Sequence, residues 1–143
     1  MSEENKLRMK AFYEEVMNSH NVKAFDDFLT DDFVEHEDLT QFGLTNDAAG
    51  VKEWMGRLFK AFPDASVSME DVATEGDKVW ARIRIRGTNT GEMMGMPPTG
   101  KSIDVQAIDI VAVREGKAYE HWGVTDNAAM MQQLGLAPPP PGA

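Results

Sequence analysis

The chain contains no cysteine among its 143 residues, which excludes disulfides, thiolate nucleophiles and cysteine-ligated zinc. It also lacks any apolar run approaching the length of a transmembrane span, so no membrane partner is expected. Basic residues are scarce, because 14 Lys and Arg against 24 Asp and Glu leave a net charge of −10. Nucleic acids and anionic membranes need a basic face, so neither is expected as a partner. The N-terminal segment has no apolar core of a secretory signal, and we therefore expect a cytoplasmic protein.

What the chain does have is the composition of an ordinary globular protein, with 42% hydrophobic and 27% charged residues. Its length suits a single domain. We interpret residues 1–136 as that domain and residues 137–143, which contain four prolines, as an extended proline-rich tail.

Apolar residues at helical spacing predict three helices in the first half of the chain. The first is expected over 2–19 and the second over 21–29, with an extended segment over 31–36 after them. The third is expected to be capped by Thr45 or Asn46 and to stop at Pro63.

Beyond Pro63 the apolar pattern changes to the period of two that is typical of strands. Strands are expected near 67–72, 79–86, 103–114 and 118–125. A short closing helix over 127–134 is expected to be capped by Asp126. Helices followed by a run of antiparallel strands indicate an α+β domain, with the helices on one face of a curved sheet. Such a sheet leaves a pocket that suits an apolar small molecule.

The strand over 103–114 carries one charged residue, Asp109, on an otherwise aliphatic face. An inward carboxylate is costly unless it is paired, hydrogen-bonded or protonated. Asp109 is therefore either a functional group or the partner of a buried donor.

The hairpin after this strand decides which residue faces Asp109. A three-residue loop with a left-handed Gly116 places Asp109 opposite His121, at roughly 5 Å between β-carbons. Such an acid–imidazole pair raises the histidine pKa and can serve as a general acid/base. A two-residue loop instead pairs Asp109 with Trp122 and turns His121 away.

Several short motifs lie in the segment 91–135: Gly-Met-Pro-Pro-Thr-Gly at 95–100, Arg-Glu-Gly-Lys at 114–117, the pair His121 and Asp126, and Gln-Leu-Gly at 133–135. On these motifs the chain resembles the SnoaL-like polyketide cyclases of the nuclear transport factor 2-like superfamily. The resemblance implies a cone-shaped curved antiparallel sheet, wrapped by N-terminal helices and enclosing a pocket. It also implies a homodimer or homotetramer formed through the outer face of the sheet.

The resemblance also implies where catalytic groups would stand. In characterised members of the family, an aspartate on the last strand is the general acid/base of an intramolecular aldol ring closure, and its position is Gly123 here. A partner histidine of the family falls at Asp109, and an inward asparagine falls at Glu35. Asp109, His121 and Glu35 are thus the candidate catalytic residues.

Enolisation beside an activated carbonyl needs only a base and a donor, so no cofactor is expected. No metal is expected either, because adjacent residues around His36 point in alternating directions.

Other residues are candidates for lining the pocket. His36 lies either at the pocket mouth or in solvent, and Met94 belongs to a methionine-rich segment that is either ligand-contacting or filler. The remaining candidates are Tyr13, Met17, Phe33 and Trp54, and each could equally be ordinary core.

Three functions remain open: an acid–base enzyme of the cyclase or isomerase type, a non-catalytic small-molecule-binding module, and a structural oligomer with a filled core. Gly123 at the family's acid position favours the second. Three arginines, at 82, 84 and 86, are expected to form ion pairs with neighbouring strands or with a second subunit.

Overall fold

The computed structural model describes residues 2–138 and contains one five-stranded sheet, in the order β1-β5-β4-β3-β2. The strands are β1 (Leu29–Glu35), β2 (Ser66–Glu75), β3 (Lys78–Thr88), β4 (Ser102–Arg114) and β5 (Lys117–Thr125). The strands β2 to β5 pair in antiparallel fashion, whereas β1 runs parallel to β5. The predicted α+β class is confirmed. The predicted sheet was wholly antiparallel, and the parallel strand β1 adds to it. The segment predicted to be extended over 31–36 thereby lies beside β5.

Three α-helices accompany the sheet, namely α1 (Ser2–Phe12), α2 (Ala48–Ala61) and α3 (Asn127–Gln133). The first predicted helix continues beyond α1 as a wider π-helical turn, Tyr13–Met17, in which the Asn18 N–H donates to the Tyr13 carbonyl at 2.8 Å. Such turns are frequent at functional sites. The second predicted helix is a 3₁₀ helix, Val22–Asp27, and another short 3₁₀ helix, Leu39–Phe42, follows β1.

The helix caps were predicted correctly in one case and wrongly in the other. Asp126 caps α3 by accepting a hydrogen bond from the Ala129 N–H at 3.0 Å. The cap of α2 is Asp47 rather than Thr45 or Asn46, because its carboxylate accepts from the Gly50 N–H at 2.9 Å. The Thr45 hydroxyl instead donates to that carboxylate.

The hairpin between β4 and β5 departs from both predicted registers. Its loop has two residues, Glu115 and Gly116, at φ 52° and 79°, so the predicted three-residue loop is wrong. The pairing then shifts between Ala112 and Val113, which leaves Tyr119 as an extra bulged residue on β5. Asp109 consequently pairs with Gly123, not with His121 or Trp122.

The bulge restores His121 to the inner face of the sheet. Ala118 lies inward before the bulge, and without the extra residue the next inward position would be Glu120. With the bulge, Glu120 lies opposite Ala112, and His121 points into the interior, diagonal to Asp109.

The interior lies between the helices and the inner face of the sheet. Its core includes Met9, Val16, Phe28, Val79 and Phe62. No helix within residues 2–138 is long and apolar enough to cross a membrane. Of the predicted tail, residues 139–143 lie outside the described residues.

Candidate active site

A cavity of about 190 Å³ lies between the N-terminal helices and the sheet. Its walls are largely apolar and come from the helices, β1, β3, β4 and β5. Representative apolar lining residues are Phe12, Phe28, Val51, Met55, Ile83 and Val111. The acidic side chains of the wall and His121 lie together at one place, where the end of β1 meets the middle of β5 and of β4.

His121 is the centre of this polar group and is held from both sides by carboxylates. Its Nε2 lies 2.9 Å from Asp109 Oδ1, and its Nδ1 lies 2.6 Å from Glu35 Oε2. The side chains of His121 and Asp109 are each 20% exposed, and that of Glu35 is 6% exposed. The predicted contact between Asp109 and His121 therefore exists, although the register predicted for it is wrong.

Tyr13 completes the hydrogen bonding of Asp109. Its hydroxyl, at the start of the π-helical turn, donates to Asp109 Oδ2 at 2.7 Å. Both oxygens of Asp109 thus accept a hydrogen bond from a buried or half-buried donor. Glu35 accepts a second bond from the Glu37 N–H at 3.1 Å.

The charges of this group depend on one another. Burial alone would lower the pKa of His121, but its hydrogen bonds to Asp109 and Glu35 and their negative charge raise the pKa to about 10. Burial opposes ionisation of Asp109, yet the bond and charge of His121 and the bond from Tyr13 lower its pKa overall. Burial and the neighbouring Asp109 charge raise the pKa of Tyr13 well above its usual value. At neutral pH His121 is therefore an imidazolium beside the ionised Asp109.

Glu37 is a further carboxyl group in the cavity wall, and the sequence did not single it out as a site residue. It lies two residues beyond Glu35 and therefore on the same side of the extended chain. Burial raises its pKa to about 7; the His121 charge opposes this shift, while the charges of Glu35 and Asp109 add to it. The signal that could have found it is the alternation Phe33, Glu35, Glu37, continued one step past the predicted strand.

Most of the predicted pocket residues do line the cavity. Asp109, His121 and Glu35 meet at its polar end, and Tyr13 lies beside them. Met17, Phe33 and Trp54 contribute to the apolar wall. Their roles toward a ligand remain predictions.

His36 and Met94 lie elsewhere, and the expectation that they line the pocket is corrected. His36 points to the opposite side from Glu35 and Glu37, where it stacks on Trp122 at 4.7 Å and contacts Glu120 at 2.7 Å. Met94 is 52% exposed at the tip of a tight turn that joins Met93 to Met96. The turn projects it into solvent because Met94 and Gly95 both have positive φ.

Among residues 2–138, no group of three histidine or acidic side chains has an arrangement that could hold a metal ion.

Comparison with known proteins agrees with this architecture. The family model of the SnoaL-like polyketide cyclases matches residues 7–134. The chain belongs to the SnoaL-like polyketide cyclase family.

Individual relatives within the SnoaL-like family share about a quarter to a third of their residues with this chain. The aklanonic acid methyl ester cyclase DauD from Streptomyces sp. (strain C5) is 26% identical over 84% of this chain and 80% of its own length. The crystal structure of IdmH from Streptomyces antibioticus, a proposed polyketide cyclase, has a TM-score of 0.79 and 30% identity over 92% of this chain and 98% of that one. That of AclR from Streptomyces galilaeus, a proposed hydroxylase, has a TM-score of 0.86 and 26% identity over 99% and 87%.

The SnoaL-like motif at residues 95–100 serves the scaffold of this chain. Next to it, the buried Asn89 side chain donates to the Ala61 carbonyl at 3.1 Å and accepts from the Thr99 N–H at 2.9 Å. The Gly100 N–H donates to the Asn89 carbonyl at 2.8 Å. These bonds fasten the loop before β4 to the end of α2, on a different part of the molecule from the His121 group.

The outer face of the sheet in this SnoaL-like protein carries the three predicted arginines. Arg82 lies 2.7 Å from Asp71, Arg84 lies 2.8 Å from Asp104, and Arg86 lies 3.5 Å from the same Asp104. The predicted ion pairing with neighbouring strands is confirmed. A homodimer or homotetramer formed through this face remains a prediction.

Proposed function

We propose that this chain is a cofactor-independent acid–base enzyme that closes a ring in a polyketide-like or other apolar small molecule. The family match supports a role of the cyclase type. The observation that carries the proposal is the imidazole ring of His121, fixed between Asp109 and Glu35 in the wall of an apolar cavity.

The chemistry requires charge stabilisation at one place and proton transfer beside it. A base removes a proton from a carbon next to a carbonyl, and the electron pair forms an enolate whose oxygen carries negative charge. The enolate carbon then attacks a second carbonyl carbon, and the new alkoxide takes up the proton, so the product is an isomer of the substrate. Fixed positive charge near the enolate oxygen lowers the barrier, because it needs no reorganisation during the reaction. His121 supplies that charge, and Asp109 and Glu35 hold it in place.

The lining of the cavity supports a mostly apolar substrate. Aromatic and aliphatic side chains from the helices and from β1, β3, β4 and β5 line the cavity around the polar group, as is usual for small-molecule sites. The relative DauD is named for aklanonic acid methyl ester, and that compound is the first substrate to test.

The test is conversion of aklanonic acid methyl ester by the purified protein. We expect a cyclic isomer of unchanged mass, resolved by liquid chromatography and identified by NMR. Asp109→Asn should reduce kcat by about 100-fold, the scale expected when a fixed group that stabilises the developing charge is lost. Asp71→Asn, the same change in a surface ion pair, should leave the rate within about twofold.

A binding module that does not transform its ligand is the second candidate. It is favoured by the fact that both ring nitrogens of His121 already contact carboxylates of the protein. Tight binding of the ester, measured by quenching of tryptophan fluorescence, without conversion by the wild-type protein would favour this function over the enzyme.

A further inference from the structure

The space above Gly123 is occupied by the carboxyl group of Glu37. A β-carbon built on Gly123 would lie 2.1 Å from Glu37 Oε1 and 2.9 Å from His121 Cε1. Real β-carbons are essentially never found that close to another heavy atom, so residue 123 has to be glycine while Glu37 is in this position. Gly123 pairs directly with Asp109, and Glu37 therefore lies over the centre of the polar group.

The backbone around Glu37 is held by hydrogen bonds to β5 and to the Glu35 side chain. The His36 N–H donates to the His121 carbonyl at 2.9 Å, which extends the pairing of β1 with β5 by one residue. The Glu37 N–H donates to Glu35 Oε2 at 3.1 Å. Directly afterwards, Asp38 caps the 3₁₀ helix by accepting from the Thr40 N–H at 3.0 Å. Glu37 is thus presented to the cavity by a short, well-anchored segment.

Hydrogen bonding distinguishes Glu37 from the other two carboxyl groups. Asp109 accepts from His121 and Tyr13, and Glu35 accepts from His121 and the backbone. The Glu37 carboxyl group lines the cavity but has no hydrogen-bond partner within residues 2–138. Of the three carboxyl groups, it is the one that can exchange a proton with a bound molecule without breaking a bond of the resting site.

We propose that Glu37 is the catalytic residue that takes and returns the proton. Glycine at position 123 leaves the space in the cavity that the Glu37 carboxyl group occupies. This inference rests on the proposed acid–base function and names the group that performs it. As a carboxylate, Glu37 removes the proton from the carbon next to the substrate carbonyl, and the electron pair forms the enolate beside the His121 charge. After the carbon–carbon bond forms, the Glu37 carboxylic acid returns the proton to the new alkoxide.

The ionisation of Glu37 suits this exchange. Its pKa of about 7 leaves both the acid and the carboxylate populated near neutral pH, which is the condition for efficient general acid–base catalysis.

The first experiment tests the geometry without any substrate, by a double-mutant cycle on the melting temperature. Gly123→Ala should lower the melting temperature of the wild-type protein, because the new methyl group collides with Glu37. In a Glu37→Ala background the same change should cost less, since the carboxyl group is gone and the contact with His121 Cε1 at 2.9 Å remains. An equal loss in both backgrounds would show that Glu37 does not occupy this space and would overturn the proposal.

The second experiment measures proton transfer directly. The protein is incubated in D₂O with 1-tetralone, a simple bicyclic ketone, and deuterium entry next to the carbonyl is followed by NMR. Glu37→Gln should reduce this exchange, and kcat for ring closure, by about 100-fold, with an unchanged fold by circular dichroism. Glu75→Gln, the same substitution at an exposed position, should change neither. Full exchange and full kcat in Glu37→Gln would overturn the role of Glu37 while leaving the proposed function intact.

The two proposals can fail separately. If the wild-type protein closes no ring but catalyses exchange that Glu37→Gln abolishes, ring closure is wrong and the role of Glu37 stands. If the wild-type protein catalyses neither reaction, both are wrong.

Discussion

Asp109 faces Gly123 across the β4–β5 pairing, yet its carboxylate bonds the imidazole of His121 on the diagonal. Gly123, directly opposite Asp109, has no side chain. His121, on the diagonal, is close enough for its ring to reach the Asp109 carboxylate. This arrangement leaves free the space directly opposite Asp109, and Glu37 reaches into it from the segment that follows β1.

Removing the charge of Asp109 should lower the pKa of His121 toward that of an ordinary histidine. In Asp109→Asn one of the two carboxylates that hold the imidazolium is gone, so we expect the His121 pKa to fall from about 10 by roughly 1 to 3 units. The measurement is an NMR titration of the His121 ring. Asp104→Asn, at the outer face, should leave the His121 pKa unchanged. An unchanged His121 pKa in Asp109→Asn would contradict the prediction.

Tyr13→Phe should destabilise the protein more than the matched change Tyr119→Phe. The Tyr13 hydroxyl donates to Asp109 in the interior, and losing it leaves a carboxylate oxygen without its donor, at a cost of about 1–3 kcal/mol. The Tyr119 hydroxyl contacts Asp77 at the surface, where water can replace it. Urea unfolding measures both variants, and equal losses would count against an interior bond.

Glu115→Asn should stabilise the hairpin between β4 and β5. Glu115 has φ 52°, in the left-handed region that disfavours most side chains, and Gly116 follows at 79°. Asn-Gly is the preferred pair for a two-residue turn of this kind, so we expect a gain of about 0.5–1 kcal/mol in the free energy of unfolding. A loss of stability instead would argue against the two-residue turn.

Glu37 should make the stability of the protein depend on pH. Its pKa is raised from 4.5 in the unfolded chain to about 7 in the folded protein, so the folded state binds more protons between these values. Stability from this group is therefore present below about pH 4.5 and is lost as the pH rises through 7. Because Glu37 is partly open to the cavity, the loss should be about 1–2 kcal/mol rather than the full value of the shift.

The comparison that isolates this effect is Glu37→Gln against Glu75→Gln, with the free energy of unfolding measured from pH 4.5 to 8. The difference between wild type and Glu37→Gln should grow across this range in favour of the variant. A constant difference would mean that Glu37 ionises in the folded protein as it does in the unfolded chain.

The alternation of apolar residues was sufficient to predict most of the strands and to place Asp109 on the inner face of β4. It could not reveal the bulge at Tyr119, because a bulge depends on the tertiary fit of the hairpin and leaves no mark in the sequence. The length of the turn was predicted wrongly for a related reason. Glutamate is uncommon at positive φ, so the residue types favour a loop in which Gly116 alone is left-handed, whereas Glu115 is left-handed as well.

Glu37 was missed because the extended segment was predicted to end at His36. The pairing of the His36 N–H with the His121 carbonyl carries the extended chain one residue further, and only this contact between distant segments orients Glu37. The cap of α2 was assigned to Thr45 or Asn46, each next to or near Asp47 in the sequence, and local residue types alone do not choose among such neighbours.

The polar end of the cavity contains three carboxyl groups and one imidazolium. Because acidic groups outnumber the single imidazolium, this end of the cavity holds no excess of positive charge, and ionisation of Glu37 makes it more negative. An anionic group on an entering molecule would be repelled here, since charges a few ångströms apart interact strongly in a poorly hydrated interior. The enolate is different, because it forms as Glu37 takes up the proton and so leaves the total charge of the site unchanged. The same residues that prepare the site for proton transfer therefore also sort ligands by charge, and they admit neutral molecules in preference to anions.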